Sequence, residues 1–148
     1  MTTNNEPDNL VRFRQMCRRH GFRVTHQKVM IYQELLNSED HPTPEKLFNR
    51  LSPVVHGLSL DTVYRTLAAF QEMGLVNEVE GYGNAKRFDS KLEKHHHLHC
   101  IKCGTIVDFT SDSYDAIEVP KNISKGFKIK LLRVTIDGFC KKCLNKTN

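Results

Sequence analysis

SLDTVYRTLAAFQEMGLVNEVEGYGNAKRFD, residues 59–89, is the stretch on which the architecture turns. Ser59 can cap a helix over 60–73, in which Leu60, Val63, Leu67 and Phe70 recur at helical spacing as one apolar stripe and Gly74 makes the stop. Asp61, Arg65, Ala68 and Glu72 face the other way, with Tyr64 on the flank. Residues 76–80 then alternate, 81–84 read as a turn, and 85–88 return, which is a hairpin pattern. A helix followed at once by a short hairpin, with more helices before it, is the order of a winged helix-turn-helix. In that motif the recognition helix enters the DNA major groove.

The upstream segments agree. The first nine residues are polar and expected to be frayed. Residues 10–20 read as a helix ended by Gly21; Thr25 caps a second helix carrying Val29, Ile31, Leu35 and Leu36; Thr43 followed by Pro44 starts a third, short one over 45–51. Lone Cys17 on the first helix is expected to be a small core residue. Arg12, Arg14, Arg18 and Arg19 crowd that helix with no acidic residue among them, and Arg23 and Lys28 follow. A formal net charge of +5 in 148 residues favours a polyanionic partner, although a solvated helix face explains such a run equally well.

Two CxxC pairs, Cys100/Cys103 and Cys140/Cys143, close the chain. Four thiolates suit one tetrahedral Zn²⁺ at about 2.3 Å, and a closed thiolate set leaves no position for substrate, so this site is expected to be structural. The spacer between the pairs is longer than in a simple zinc ribbon, so the intervening segment must fold and bring the knuckles together. No apolar signal segment opens the chain and no apolar run could span a membrane, which points to reduced thiols and a cytoplasmic protein. The run His95, His96, His97 and His99 lies beside the first knuckle, and imidazole suits an exchangeable transition metal. A nucleophile elbow and a phosphate-binding glycine loop are both missing from the sequence, which speaks against an enzyme.

The rest reads as a second, small α+β unit: a hairpin of 97–101 and 105–109 around the first knuckle, a partly helical 111–123 interrupted by Pro120, and an alternating strand over 127–136. A unit this small buries little core alone, so zinc and dimerisation are expected to contribute to its stability. The expected organisation is residues 1–9 as a flexible N-terminus, 10–89 as a winged-helix DNA-binding domain and hinge, and 90–148 as a zinc-containing dimerisation domain.

From Leu10 to Cys143 the chain resembles the Fur family of metal-responsive transcriptional repressors, through HPTPEKLF, LSLDTVYRTLAAFQEMGLV, KRFD, HHHLHCIKCGTIVDF and GFCKKC in that order. The resemblance is to its peroxide-sensing branch, because Asp89 and Asp108 stand where iron-sensing members tend to carry glutamate. It implies a cytoplasmic homodimer that represses from A/T-rich palindromic DNA. It places a regulatory Fe²⁺ or Mn²⁺ on His41, Asp89, His95, His97 and Asp108, with His41 and His95 as the imidazoles that iron-driven peroxide chemistry would oxidise. Together with the helix wheel it places Tyr64 and Arg65 in the major groove, Arg23 on backbone or minor groove, and Ser59 and Thr62 among the DNA contacts. The alternative within the family is an iron-responsive repressor that senses metal occupancy alone.

The chain also departs from the family pattern. A further metal site of some members uses the residue before the first regulatory histidine, the one between the two, and a histidine on the last strand; here these are Lys94, His96 and Leu132, so that site is expected to be absent or degraded. His96 and His99 are expected on the other face of the strand or in solvent, and His20, His26 and His56 as ordinary surface or partly buried residues.

Overall fold

The computed structural model describes residues 7–79 and 85–146. Its chain divides into two units, one ending at Leu92 and the other beginning at Glu93.

The first unit holds four helices, α1 (Asp8–Arg19), α2 (His26–Asn37), α3 (Pro44–Leu51) and α4 (Leu60–Glu72), then strands β1 (Asn77–Val79) and β2 (Arg87–Asp89). Hydroxyl caps start three of the helices. Thr25, Thr43 and Ser59 accept the backbone N–H of Lys28, Lys46 and Thr62 at 3.4, 3.3 and 3.1 Å, and Pro44 sits in the first turn of α3. α1 begins at Asp8 rather than Leu10, because the Pro7 carbonyl accepts from the Leu10 N–H at 2.8 Å and opens the first turn earlier than polarity alone suggests.

Glycine ends two of these helices. Gly21 and Gly74 lie at φ +63° and +70°, and the paired bonds Phe22 N–H to Cys17 O and Leu75 N–H to Phe70 O, at 2.8 and 2.9 Å, close the last turns. The stripe of α4 is buried at Val63, Leu67 and Phe70, joined by Thr66, while Leu60 is only partly covered. Phe70 meets Phe13 and Tyr32 edge-on at 5.4 and 5.8 Å, and Phe13 stacks on Tyr32 at 4.6 Å. Burial raises the pKa of the Cys17 thiol, which lies in this core as expected. β1 and β2 pair antiparallel with Asn77 opposite Asp89, as the base of the wing; the expected turn at 81–84, with residue 80, lies outside the described residues.

The second unit is a three-stranded sheet in the order β4-β3-β5, from β3 (His96–Cys100), β4 (Ile106–Phe109) and β5 (Thr135–Gly138), with single-turn helices α5 (Asp112–Asp115) and α6 (Lys121–Ser124) between β4 and β5 and α7 (Lys141–Asn145) after them. Pro120 separates the two short helices as its ring requires. β3 runs antiparallel to β4 and parallel to β5. The strand expected over 127–136 forms only from Thr135. The alternation of Phe127, Ile129 and Leu131 is real, but Phe127 is 77% exposed and the segment has no ladder partner among the described residues of this chain.

Candidate metal centres and DNA-binding surface

The two CxxC pairs converge. Cys100 ends β3, Cys103 lies in the turn to β4, Cys140 precedes α7 and Cys143 lies within it, and their four Sγ atoms fall within 4.8 Å of one another. Cys103 Sγ and Cys140 Sγ are 3.7 Å apart. Two sulfurs about 2.3 Å from a tetrahedral zinc stand about 3.8 Å apart, so the geometry fits that ion. The Cys140 N–H donates to Cys100 Sγ at 3.3 Å, and this and neighbouring N–H groups bring that thiol down to about 6. Desolvation and the competing sulfurs push Cys143 up to about 12.

In the second unit the register of β3 on β4 sets His97 opposite Asp108. His95 and His97, two residues apart, share one face of the strand. Their Nε2 atoms lie 3.8 and 3.2 Å from Asp108 Oδ1, with the rings edge-on at 4.8 Å. His95 Nδ1 is 2.6 Å from the Glu93 carbonyl, which can only accept, so Nδ1 carries a proton and Nε2 is the nitrogen placed on the Asp108 side for a metal. In the first unit His41, in the loop between α2 and α3, and Asp89, at the end of β2, are both buried, with Nε2 and Oδ2 3.5 Å apart. Ligand atoms about 2.1 Å from one ion stand about 3.0–3.5 Å apart, so each set has spacings an ion can bridge. Mixed imidazole and carboxylate donors suit Fe²⁺ or Mn²⁺.

His41 has a backbone conformation rare for its type. It is the one non-glycine residue at positive φ, +50°, among those described. That region costs an L-residue roughly 1–2 kcal/mol. The turn is held by buried Arg87, whose Nε donates to the His41 carbonyl at 2.7 Å and whose Nη2 donates to that of Asp40. Nothing in the spacing of KRFD distinguishes this arginine from a solvent-exposed one.

Of the other histidines, His99 departs from the expectation, while His96 lies on the other face as expected. His96 does face away from His95 and His97, yet it is buried rather than solvated: Nε2 meets Asp115 Oδ1 at 2.9 Å, Nδ1 accepts the Val134 N–H at 3.0 Å, and the ring packs on Phe109 and Tyr114. His99 shares the face of His97, since residues two apart on a strand point the same way, and its Nδ1 lies 2.9 Å from Asp137. Lys94 sets its ammonium 3.5 Å from the same Asp115 oxygen, and Leu132 is partly buried. Asp115 and Asp137 belong to no motif and were not legible as partners. His20, His26 and His56 are exposed.

On the outward face of α4, Tyr64 and Arg65 are exposed. The Tyr64 hydroxyl donates to Glu45 of α3, and Arg65 pairs with Asp61 at 2.9 Å. Ser59 is tied up in capping, with its hydroxyl 2.8 Å from that of Thr62. Arg23 is exposed just before α2, as are Arg12, Arg14, Arg18 and Arg19 on α1.

A winged-helix unit followed by a small α+β unit, with a four-thiolate set and histidine–carboxylate sets, defines a metal-binding protein of DNA-reading architecture. The chain belongs to the Ferric uptake regulator family, whose pattern matches residues 19–137. It is 34% identical over 131 residues to the peroxide-responsive repressor PerR of Staphylococcus epidermidis, covering 88% of this chain and 87% of that one. The structure resembles that of the ferric uptake regulator of Francisella tularensis with iron, at TM-score 0.70 and 29% identity over 84% of this chain and 96% of the other. It also resembles PerR of Streptococcus pyogenes, a structure solved for peroxide sensing and gene regulation, at TM-score 0.52 and 25% identity over 89% and 90%.

Proposed function

We propose that the protein is a cytoplasmic, homodimeric, metal-dependent DNA-binding repressor, not an enzyme, and that hydrogen peroxide relieves its repression. The observation that carries this is the composition of the two sets: His41 with Asp89 in the first unit, His95 and His97 with Asp108 in the second, both carboxylates being aspartate. In this reading all five hold one Fe²⁺ or Mn²⁺, while Cys100, Cys103, Cys140 and Cys143 hold a structural Zn²⁺. A ligand set drawn from both units lets metal favour one arrangement of them by its differential affinity. α4 then enters the major groove of an A/T-rich palindrome with Tyr64 and Arg65, supported by Ser59 and Thr62, while Arg23 meets the backbone or minor groove. A second copy accounts for the apolar row Val107, Leu98 and Ile136, side by side across the sheet and exposed in one chain.

Iron(II) bound among these ligands would supply the reactivity that turns peroxide into an oxidant. The His41 or His95 imidazole then gains one oxygen atom, and the rest of the peroxide leaves as water. The oxidised ring is a poorer ligand, so the first unit loses its tether and the dimer leaves its operator. Peptide mass mapping after one equivalent of peroxide tests this: +16 on the peptide with His41 or His95 is expected with Fe²⁺ and not with Mn²⁺. Loss of DNA binding with only cysteine oxidised, or no loss, would overturn it. The alternative, a repressor that senses iron occupancy alone, predicts release by chelation but not by peroxide.

A further inference from the structure

The proposed ligand set assigns no work to Arg87, yet its guanidinium is buried and aimed at the backbone of the loop that carries His41. Nε and Nη2 form one edge of the guanidinium plane. That edge spans two successive carbonyls, those of His41 and Asp40. The next residue of the strand, Phe88, donates its N–H to the Pro42 carbonyl at 3.2 Å, and the one after, Asp89, brings its carboxylate to the His41 imidazole at 3.5 Å. Three consecutive residues of β2 thus fix residues 40–42, in which His41 sits at φ +50°. Backbone in that region relaxes toward commoner conformations unless its surroundings over-determine it.

We propose that Arg87 is a positioning residue for the regulatory metal: by clamping the Asp40 and His41 carbonyls it holds His41 in its left-handed turn, with the imidazole toward Asp89. The proposal rests on the reading of His41 as a ligand. A lysine keeps the charge but presents a single ammonium in place of a planar edge, so it cannot hold both carbonyls in the same fixed geometry. Groups that orient metal ligands typically change metal affinity about tenfold to a hundredfold when replaced.

The test is a double-mutant cycle on the full-length, zinc-loaded protein with Mn²⁺ as probe, titrated by electron paramagnetic resonance on the parent, Arg87→Lys, His41→Ala and the double variant. Arg87→Lys is expected to weaken Mn²⁺ binding at least tenfold with zinc content unchanged, and to regain operator binding at saturating Mn²⁺. In the His41→Ala background the same change should have little further effect, because the group through which Arg87 acts is gone. Mn²⁺ affinity unchanged in Arg87→Lys, or weakened equally in both backgrounds, overturns the proposal. Parental Mn²⁺ affinity in His41→Ala instead overturns the ligand reading. Should Arg87→Lys not fold, Arg87→Gln, which keeps a two-donor amide and removes the buried charge, enters the same cycle under the same criteria.

Discussion

Arg65 is 81% exposed on α4 and its ion pair with Asp61 is an i,i+4 contact in water. Such a pair is weak and easily exchanged for a better partner. Removing Arg65 is therefore expected to leave the fold alone and to remove the proposed DNA contact. Arg65→Ala is expected to melt as the parent does and to lose roughly 1–3 kcal/mol of operator binding, with relaxed specificity if the contact is to a base edge. Fluorescence anisotropy on operator and random duplexes reads the difference; parental binding to both would remove α4 as the reading helix. The His41 turn is the contrasting case at this scale. Its unusual φ is invisible in the letters HPTPEKLF, because a strained conformation is imposed by what grips it, here an arginine in a distant segment.

Elements with local causes were legible. The caps Thr25, Thr43 and Ser59 and the stops Gly21 and Gly74 act within four or five residues, so the first-unit helices fall close to where those residues place them. The strand expected over 127–136 fell short for the opposite reason. Apolar alternation reports a face to be covered, whereas a ladder needs a neighbour, and β3 receives β5 only from Thr135. Likewise the spacing of His95 and His97 gives their common face, but Asp115 and Asp137 lie far along the chain from the histidines they meet. Gly74 offers a measurement of a local stop. A methyl group there would meet nothing within 4 Å, so Gly74→Ala tests the φ of +70° without a clash. Destabilisation by about 1 kcal/mol is expected in chemical denaturation, as the left-handed region is unfavourable to alanine. No loss would mean that the helix end rearranges freely.

For the molecule as a whole, the four thiolates join segments that only the completed sheet of the second unit brings together. Cys100→Ser is expected to lose zinc, unfold the second unit and dissociate the dimer, leaving the helical signal of the first unit, whose aromatic core is its own. Metal analysis, circular dichroism and sedimentation check the three effects; a folded, zinc-free dimer would show the thiolates to be dispensable.

The two partners of β3 differ in how far the chain must travel to reach them. β4 follows across a short turn, but β5 pairs His97 with Thr135. Hairpins form in microseconds, and contacts between distant segments come later. On that ordering the β3–β4 hairpin is expected to set His97 against Asp108 on one face and to hold Cys100 and Cys103 at its other end before Cys140 and Cys143 arrive. The incomplete thiolate pair and the histidine–carboxylate set are then expected to compete for a tight-binding ion, so the metallation of the protein is expected to depend on when zinc is supplied. Zinc supplied before and after dilution from denaturant should leave different metal occupancies in the refolded protein.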